Sequence, residues 1–153
     1  MNFMILTTRY FVIGLFSLLW AVCQGCSSPT VMSESQDDAF GKMMAIQECY
    51  QQYSHQYQKG PSSIDDLMPL LTEAGHDTDE LLKSTQDGSL LVVWDFKISQ
   101  TQSTEPIVLG YEANSQQGSR IVMTSMGVYA MLDEEFYSAP LPPGHQAPAK
   151  PAN

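Results

Sequence analysis

Residues 106–132 read PIVLGYEANSQQGSRIVMTSMGVYAML, and the fold class is decided there. The runs 106–113 (PIVLGYEA), 120–124 (RIVMT) and 128–132 (VYAML) are rich in Val, Ile, Leu, Met and Tyr, residue types that suit a pleated, half-buried surface. Between them, residues 114–119 (NSQQGS) and 125–127 (SMG) hold turn formers, each with a glycine for a positive φ. Just upstream, residues 89–98 (SLLVVWDFKI) make a fourth run of the same kind. Four strands joined by short turns predict an antiparallel meander.

The residues before the strands have a helical period. Over residues 37–58, Phe40, Met43, Ile46, Tyr50, Tyr53 and Tyr57 recur three or four apart, which draws one apolar stripe on a helix. Asp37 and Asp38 sit at its expected start, where acids complement the helix dipole, and Gly60-Pro61 ends it. The Tyr stripe is expected to be core, with hydroxyls reaching the wet edge. A second short helix starts after Ser63, its expected N-cap, with Asp65 and Asp66 in the first turn and Pro69 dividing it. Successive helical residues diverge by about 100°, so Asp65 and Asp66 do not converge on a metal or a substrate. Residues 77–84 (DTDELLKS) form a third short helix capped by Asp77 or Thr78, and Asp133 is expected to cap a last turn over residues 134–138. Helices followed by a meander predict an α+β domain, with one N-terminal helix lying across a roughly four-stranded antiparallel sheet.

The two ends have a different composition. Residues 1–9 carry one charge, Arg9, and residues 10–22 (YFVIGLFSLLWAV) are apolar throughout. Thirteen residues fit the apolar region of a signal peptide and are short for a membrane span of about 20. The last 15 residues hold five prolines and are expected to form an extended or disordered tail. The expected organisation is a signal peptide over 1–25, a polar tether over 26–36, a folded domain over 37–138 and a Pro-rich tail over 139–153.

Two resemblances follow from these residues. Cys23-Gln24-Gly25-Cys26-Ser27-Ser28, placed directly after the apolar run, resembles the lipobox of bacterial lipoproteins. That resemblance implies a diacylglycerol on Cys26, which would become the mature N-terminus. Acyl chains contribute about 0.8 kcal/mol per buried CH₂, so two of them anchor a chain stably. An uncleaved anchor and ordinary secretion are the alternatives, and each of the three puts the domain outside the cytoplasm. Cleavage before Cys26 removes Arg9 alone among the charged residues and takes the formal charge from −10 to −11.

The second resemblance covers about 100 residues. Residues 59–67 (KGPSSIDDL) look like the G-x-P-x-S-L-D-D-L stretch that follows the helix of pseudopilins. Residues 106–112, 118–123, Gly127-Val128 and 133–136 look like the ending of type IV pilin-like domains named for a His…Asp-Gly signature. The resemblance implies a pilin-like fold. The family's Asp-Gly-His turn is here Met126-Gly127-Val128, which keeps the glycine and lacks both polar partners. A prepilin cleavage motif is also missing, since residues 10–22 contain no acid. Polymerisation through that segment is therefore not expected, because fold does not carry function.

The remaining chemistry is sparse. With 17 acidic and 7 basic residues, the chain is a poor partner for nucleic acid, whose phosphates call for clustered Lys and Arg. Cys49 between Glu48 and Tyr50 has the wrong electrostatics for a nucleophile and is expected to be a core thiol. His55, His76 and His145 lack the spacing of a zinc site; His55 is expected to face solvent, and His145 lies in the Pro-rich tail. P-loop, GxGxxG and GxSxG motifs are absent. No catalytic residue, cofactor or metal is expected. An enzyme or metal-dependent module would have to draw on Asp95, Glu112 or the Glu134-Glu135 pair. The expected function is a lipid-anchored cell-envelope protein of structural or binding type, with the membrane and an envelope protein as partners. The alternative is a pseudopilin-like component of a secretion or pilus system.

Overall fold

The computed structural model describes residues 33–98 and 105–150. Cys26 and the apolar segment lie outside the described residues. Helix α1 spans Glu34–Tyr57, a 3₁₀ turn spans Ile64–Asp66, and α2 (Met68–Glu73) and α3 (Thr78–Gln86) follow. Strands β1 (Leu90–Val92), β2 (Val108–Glu112), β3 (Ser119–Thr124) and β4 (Val128–Leu132) form one antiparallel sheet in sequence order, and α4 (Asp133–Phe136) closes the series. The expected α+β class is observed, with α1 packed against the four-stranded sheet.

The N-terminal helix begins three residues before the expected Asp37. Its cap is a reciprocal pair: the Ser33 hydroxyl accepts the Gln36 N–H, and the Gln36 side chain accepts the Ser33 N–H. The tether expected to reach Gln36 therefore stops short of Ser33. At the other end Gln58 takes a left-handed conformation (φ 56°). Its amide donates to the His55 carbonyl and accepts from Lys97 Nζ, which holds a residue other than glycine in that region.

Met43, Ile46, Cys49 and Tyr50 of α1 pack with Leu67, Leu71 and Leu81 from the shorter helices and Leu90, Leu109, Ile121 and Met123 from the sheet. The expected stripe is core at Met43, Ile46, Tyr50 and Tyr53, half-buried at Phe40 and exposed at Tyr57. The Tyr50 hydroxyl does not reach a wet edge. It lies in the core, facing the carbonyls of Val93 and Phe96 at 3.1 and 2.8 Å. Burial pushes its pKa up far more than the Phe96 hydrogen bond lowers it.

The register explains two strand features. A bulge in β2 sets both Leu109 and Gly110 against Met123, where Gly110 leaves room for the Met123 side chain. Beyond it, Tyr111 turns to the opposite face and pairs with Val122. The first strand is three residues long rather than the ten expected over 89–98. The Val93 N–H still donates to Leu109, but the Asp95 N–H donates to the Pro61 carbonyl and Asp95 has φ 61°. The chain thus leaves the sheet to pack on the end of α1.

The far face of the sheet is covered as well. Val108, Val122, Met131 and Phe136 form a second small core, against which Tyr137, Ala139, Leu141 and Ala147 pack. The Val108 N–H donates to the Pro140 carbonyl and Pro142 is buried. The start of the Pro-rich segment is therefore a strap across the sheet, without helix or strand of its own, rather than a free tail.

Two turn expectations need correction. Gln117 and Gly118 both have positive φ and join β2 to β3 in a two-residue turn of primed type, as expected for the glycine. Gly127 does not have a positive φ. There the Thr124 hydroxyl organises the turn, accepting from Met126 and Gly127 N–H. Asp133 does not cap α4; its carboxylate is turned to Arg120.

Candidate functional site

The polar side chains of the helical layer gather where α1 starts. Ser33, Ser35 and Gln36 meet the turn between β2 and β3: the Ser33 hydroxyl donates to Gln116 Oε1, and Gln116 Nε2 donates to Ser35 Oγ (2.9 Å) and Glu112 Oε1 (3.2 Å). Gln36 Nε2 donates to Ser119 Oγ at 3.3 Å. Beside this clamp, Asp38, Lys42, Ser84, Ser89, Glu112 and Gln116 line a cleft of about 200 Å³. A second hollow of about 340 Å³ lies on the other side of Lys42, with Asp37, His76 and Glu80 on its wall.

Lys42 divides the two hollows. Its ammonium reaches Asp38 Oδ2 at 2.6 Å and Glu80 Oε1 at 2.8 Å, which ties α1 to α3. Desolvation works against its charge, but the hydrogen bonds it donates to Asp38 and Glu80, with the attraction of their negative charges, prevail and its pKa is raised. Both carboxylates are more than half exposed, so each link contributes well under about 1 kcal/mol. Glu112 is buried, with one oxygen accepting from Gln116 and the other from the Ile121 N–H at 3.4 Å. Ser84 and Ser89 donate to the backbone carbonyls of Glu80 and Ser84, not to a base. The cleft braces a joint between helix, turn and strand.

Asp95 and Glu112, considered together from sequence, are not brought together: Glu112 pairs with Leu90 in the sheet, while Asp95 is exposed outside it. Asp65 and Asp66 serve the turn before α2. Asp66 accepts from the Ser62 hydroxyl and N–H at 2.6 and 2.7 Å, and these bonds hold its carboxyl below the usual range. Glu134 and Glu135 are exposed on α4, as are His55 and His145 on α1 and the strap. Among the described residues no group of three or more His, Cys, Asp or Glu is placed to hold a metal ion. No helix among them is long and apolar enough to cross a membrane.

No family model, curated protein or solved structure matches this chain. Its own residues have to carry any functional reading.

Sequence reading missed Arg120. Its guanidinium is buried on the far face of the sheet, 4.3 Å from the centre of the Phe136 ring and 5.5 Å from that of Tyr137. Arg120 Nε donates to Asp133 Oδ1 at 2.9 Å, and Nη2 lies 3.4 Å from the Tyr137 hydroxyl. The group pins α4 to β3. Only the spacing of Arg120, Asp133, Phe136 and Tyr137 around a strand pair hinted at it, and the register was needed to read the hint.

Cys49 is a free, buried core thiol. Burial, aided by Glu48, pushes its pKa up to about 11. In a chain with Cys23 and Cys26 replaced by serine, a water-soluble disulfide reagent at pH 8 is expected to leave Cys49 unmodified until guanidinium unfolds the domain. The same shift has a sign for stability. The folded state favours the neutral thiol, so its contribution is complete below about pH 9 and is lost as pH rises through about 11. Tyr50 adds to this at still higher pH. Denaturant titrations at pH 7, 9 and 11 are expected to show a falling midpoint.

Proposed function

We propose that this chain is a lipid-anchored cell-envelope protein whose α+β domain is pilin-like and serves binding or scaffolding rather than catalysis. The observation that carries the reading is the sequence of residues 10–28, an apolar run of signal-peptide length followed by the lipobox-like cluster ending in Cys26 and Ser-Ser. The start of the folded domain supports it. The α1 cap is Ser33, so seven peptide steps separate it from Cys26, at most about 25 Å when fully extended. A lipid on Cys26 would hold the start of α1, and with it the β2–β3 turn that Ser33 and Gln36 contact, close to the membrane surface. The strong negative charge makes nucleic acid a poor partner.

The helix-then-sheet order and the Gly60–Leu67 stretch favour a second reading as a pseudopilin-like component of a secretion or pilus machine. The absence of an acid in residues 10–22 weighs against it. The two differ in processing. The lipoprotein reading expects labelled palmitate on the wild-type chain, no label on Cys26→Ser, and loss of that variant from the membrane fraction. It also expects unchanged processing in cells without prepilin peptidase. Label that persists on Cys26→Ser would refute the anchor, and processing lost with the peptidase would favour the pseudopilin.

A further inference from the structure

The face of the sheet turned away from α1 is apolar and aromatic. An antiparallel sheet with one face on a core commonly turns polar residues outward. Here the far face carries Val108, Val122 and Met131. The Phe136 ring lies among them, 4.8 Å from the centre of Tyr111 and 5.3 Å from that of Tyr137. Tyr129 pairs directly with Val122, so it shares that face, and it is 37% exposed. The Val108 N–H donates to the Pro140 carbonyl rather than to a strand.

What lies on that face is proline-rich. Pro142 is buried, and Leu141 and Ala147 pack on the small core. Prolines at 140, 142 and 143 hold φ near about −65°, so the segment gives up little entropy when it docks. The hold is slight. Among the described residues, the Val108–Pro140 bond is the one main-chain hydrogen bond between residues 140–150 and the sheet, since the His145 N–H donates to Pro142 within the strap. Besides Pro142, the strap side chains that pack on the face are one leucine and two alanines, and Tyr129 stays in part uncovered.

We propose that the far face is a docking groove for an extended, proline-rich segment of a partner protein, and that residues 139–147 fill it in cis until such a segment displaces them. Aromatic-lined surfaces take proline-rich segments because the ligand is already ordered and its carbonyls are free to accept. The strap itself supplies the pattern: Leu141-Pro142-Pro143, a carbonyl for the Val108 N–H, and small residues to either side. A partner segment that also covers Tyr129 gains contact the strap lacks. Tethering gives the strap an effective concentration of about the mM range, so the intact chain takes a partner weakly and a chain with a loosened strap takes it tightly. The docking is independent of how the chain is anchored.

The test is fluorescence anisotropy of a labelled synthetic peptide, residues 138–150 (SAPLPPGHQAPAK), added to the full chain in detergent solution. Leu141→Asp in the chain loosens the strap and is expected to tighten peptide binding about tenfold or more over the wild type. A peptide that carries the same Leu141→Asp change is expected not to bind. The Val108 amide locates the site: its hydrogen exchange is expected to speed up in the variant chain and to slow again when the peptide is added. Pro142→Gly is a second loosening variant, should the aspartate disturb the fold, and far-ultraviolet dichroism checks both. No binding to either folded variant chain, equal binding of the Leu141→Asp peptide, or bound peptide without renewed protection at Val108 would each overturn the proposal. Protection of Val108 in the variant by added wild-type chain, and not by the peptide, would assign the face to a second copy instead.

Discussion

Gly60→Ala is expected to lower the melting temperature by roughly 10–30 °C. Gly60 is buried against the segment that leaves the sheet after β1, and a Cβ there would stand 2.5 Å from Phe96 N and 2.6 Å from its carbonyl carbon and oxygen. Those neighbours are backbone, so no side chain can swing aside. The 94–98 segment must lift, and its movement takes the Phe96 carbonyl away from the Tyr50 hydroxyl and strains the Asp95–Pro61 bond. Overpacking costs about 1–3 kcal/mol and the orphaned polar groups a similar amount, for a total of about 3–4 kcal/mol. For a domain of this size each kcal/mol moves the midpoint by about 4–8 °C. Gly41→Ala is the matched control: Gly41 is exposed on α1, a Cβ meets nothing within 4 Å, and a gain of about 0.5–1 kcal/mol is expected. Thermal unfolding followed by circular dichroism reads both. A Gly60→Ala variant as stable as the wild type would show that the chain does not pass this closely.

Arg120→Met is expected to cost about 2–3 kcal/mol and to loosen α4 and the strap before the rest of the domain. The methionine keeps much of the apolar stem of Arg120 over Phe136 but removes the charge that faces Asp133. Breaking a buried pair costs about 3–5 kcal/mol when the remaining charge stays dry, and Asp133, a quarter exposed, recovers part of that from water. Arg120→Lys is expected to fare little better, because a point charge cannot stack on Phe136 and reach Asp133 together. Hydrogen exchange locates the effect: protection falls at 133–142 and holds on α1.

The layout of the fold was legible because its signals are periodic. The stripe from Met43 to Tyr53 gave the helix and its buried face, and the runs around Val108, Val122 and Met131 gave the strands. Their ends were less legible. The capping box Ser33-x-x-Gln36 was present in the sequence, but the acids at Asp37 and Asp38 suggested a later start. Residues 89–98 read as one strand because Val92, Val93 and Trp94 all favour β structure, yet a tertiary bond from Asp95 to Pro61 ended it after Val92. The Pro-rich end held no local hint that Leu141 and Ala147 pack on the far face of the sheet. Candidate chemistry followed the same division. Local features such as the buried Cys49 and the solvent-facing His55 were readable. Asp95 with Glu112, or Arg120 with Asp133, depended on register and could not be.

We propose Cys26 as the lipidated N-terminus of the mature protein. The most direct measurement is the intact mass, with N-terminal peptide mapping, of the chain extracted from cell membranes. The expected result is a chain that begins at Cys26 and carries a diacylglycerol. A chain that still begins at Met1, or one cut elsewhere with Cys26 unmodified or removed, would contradict it.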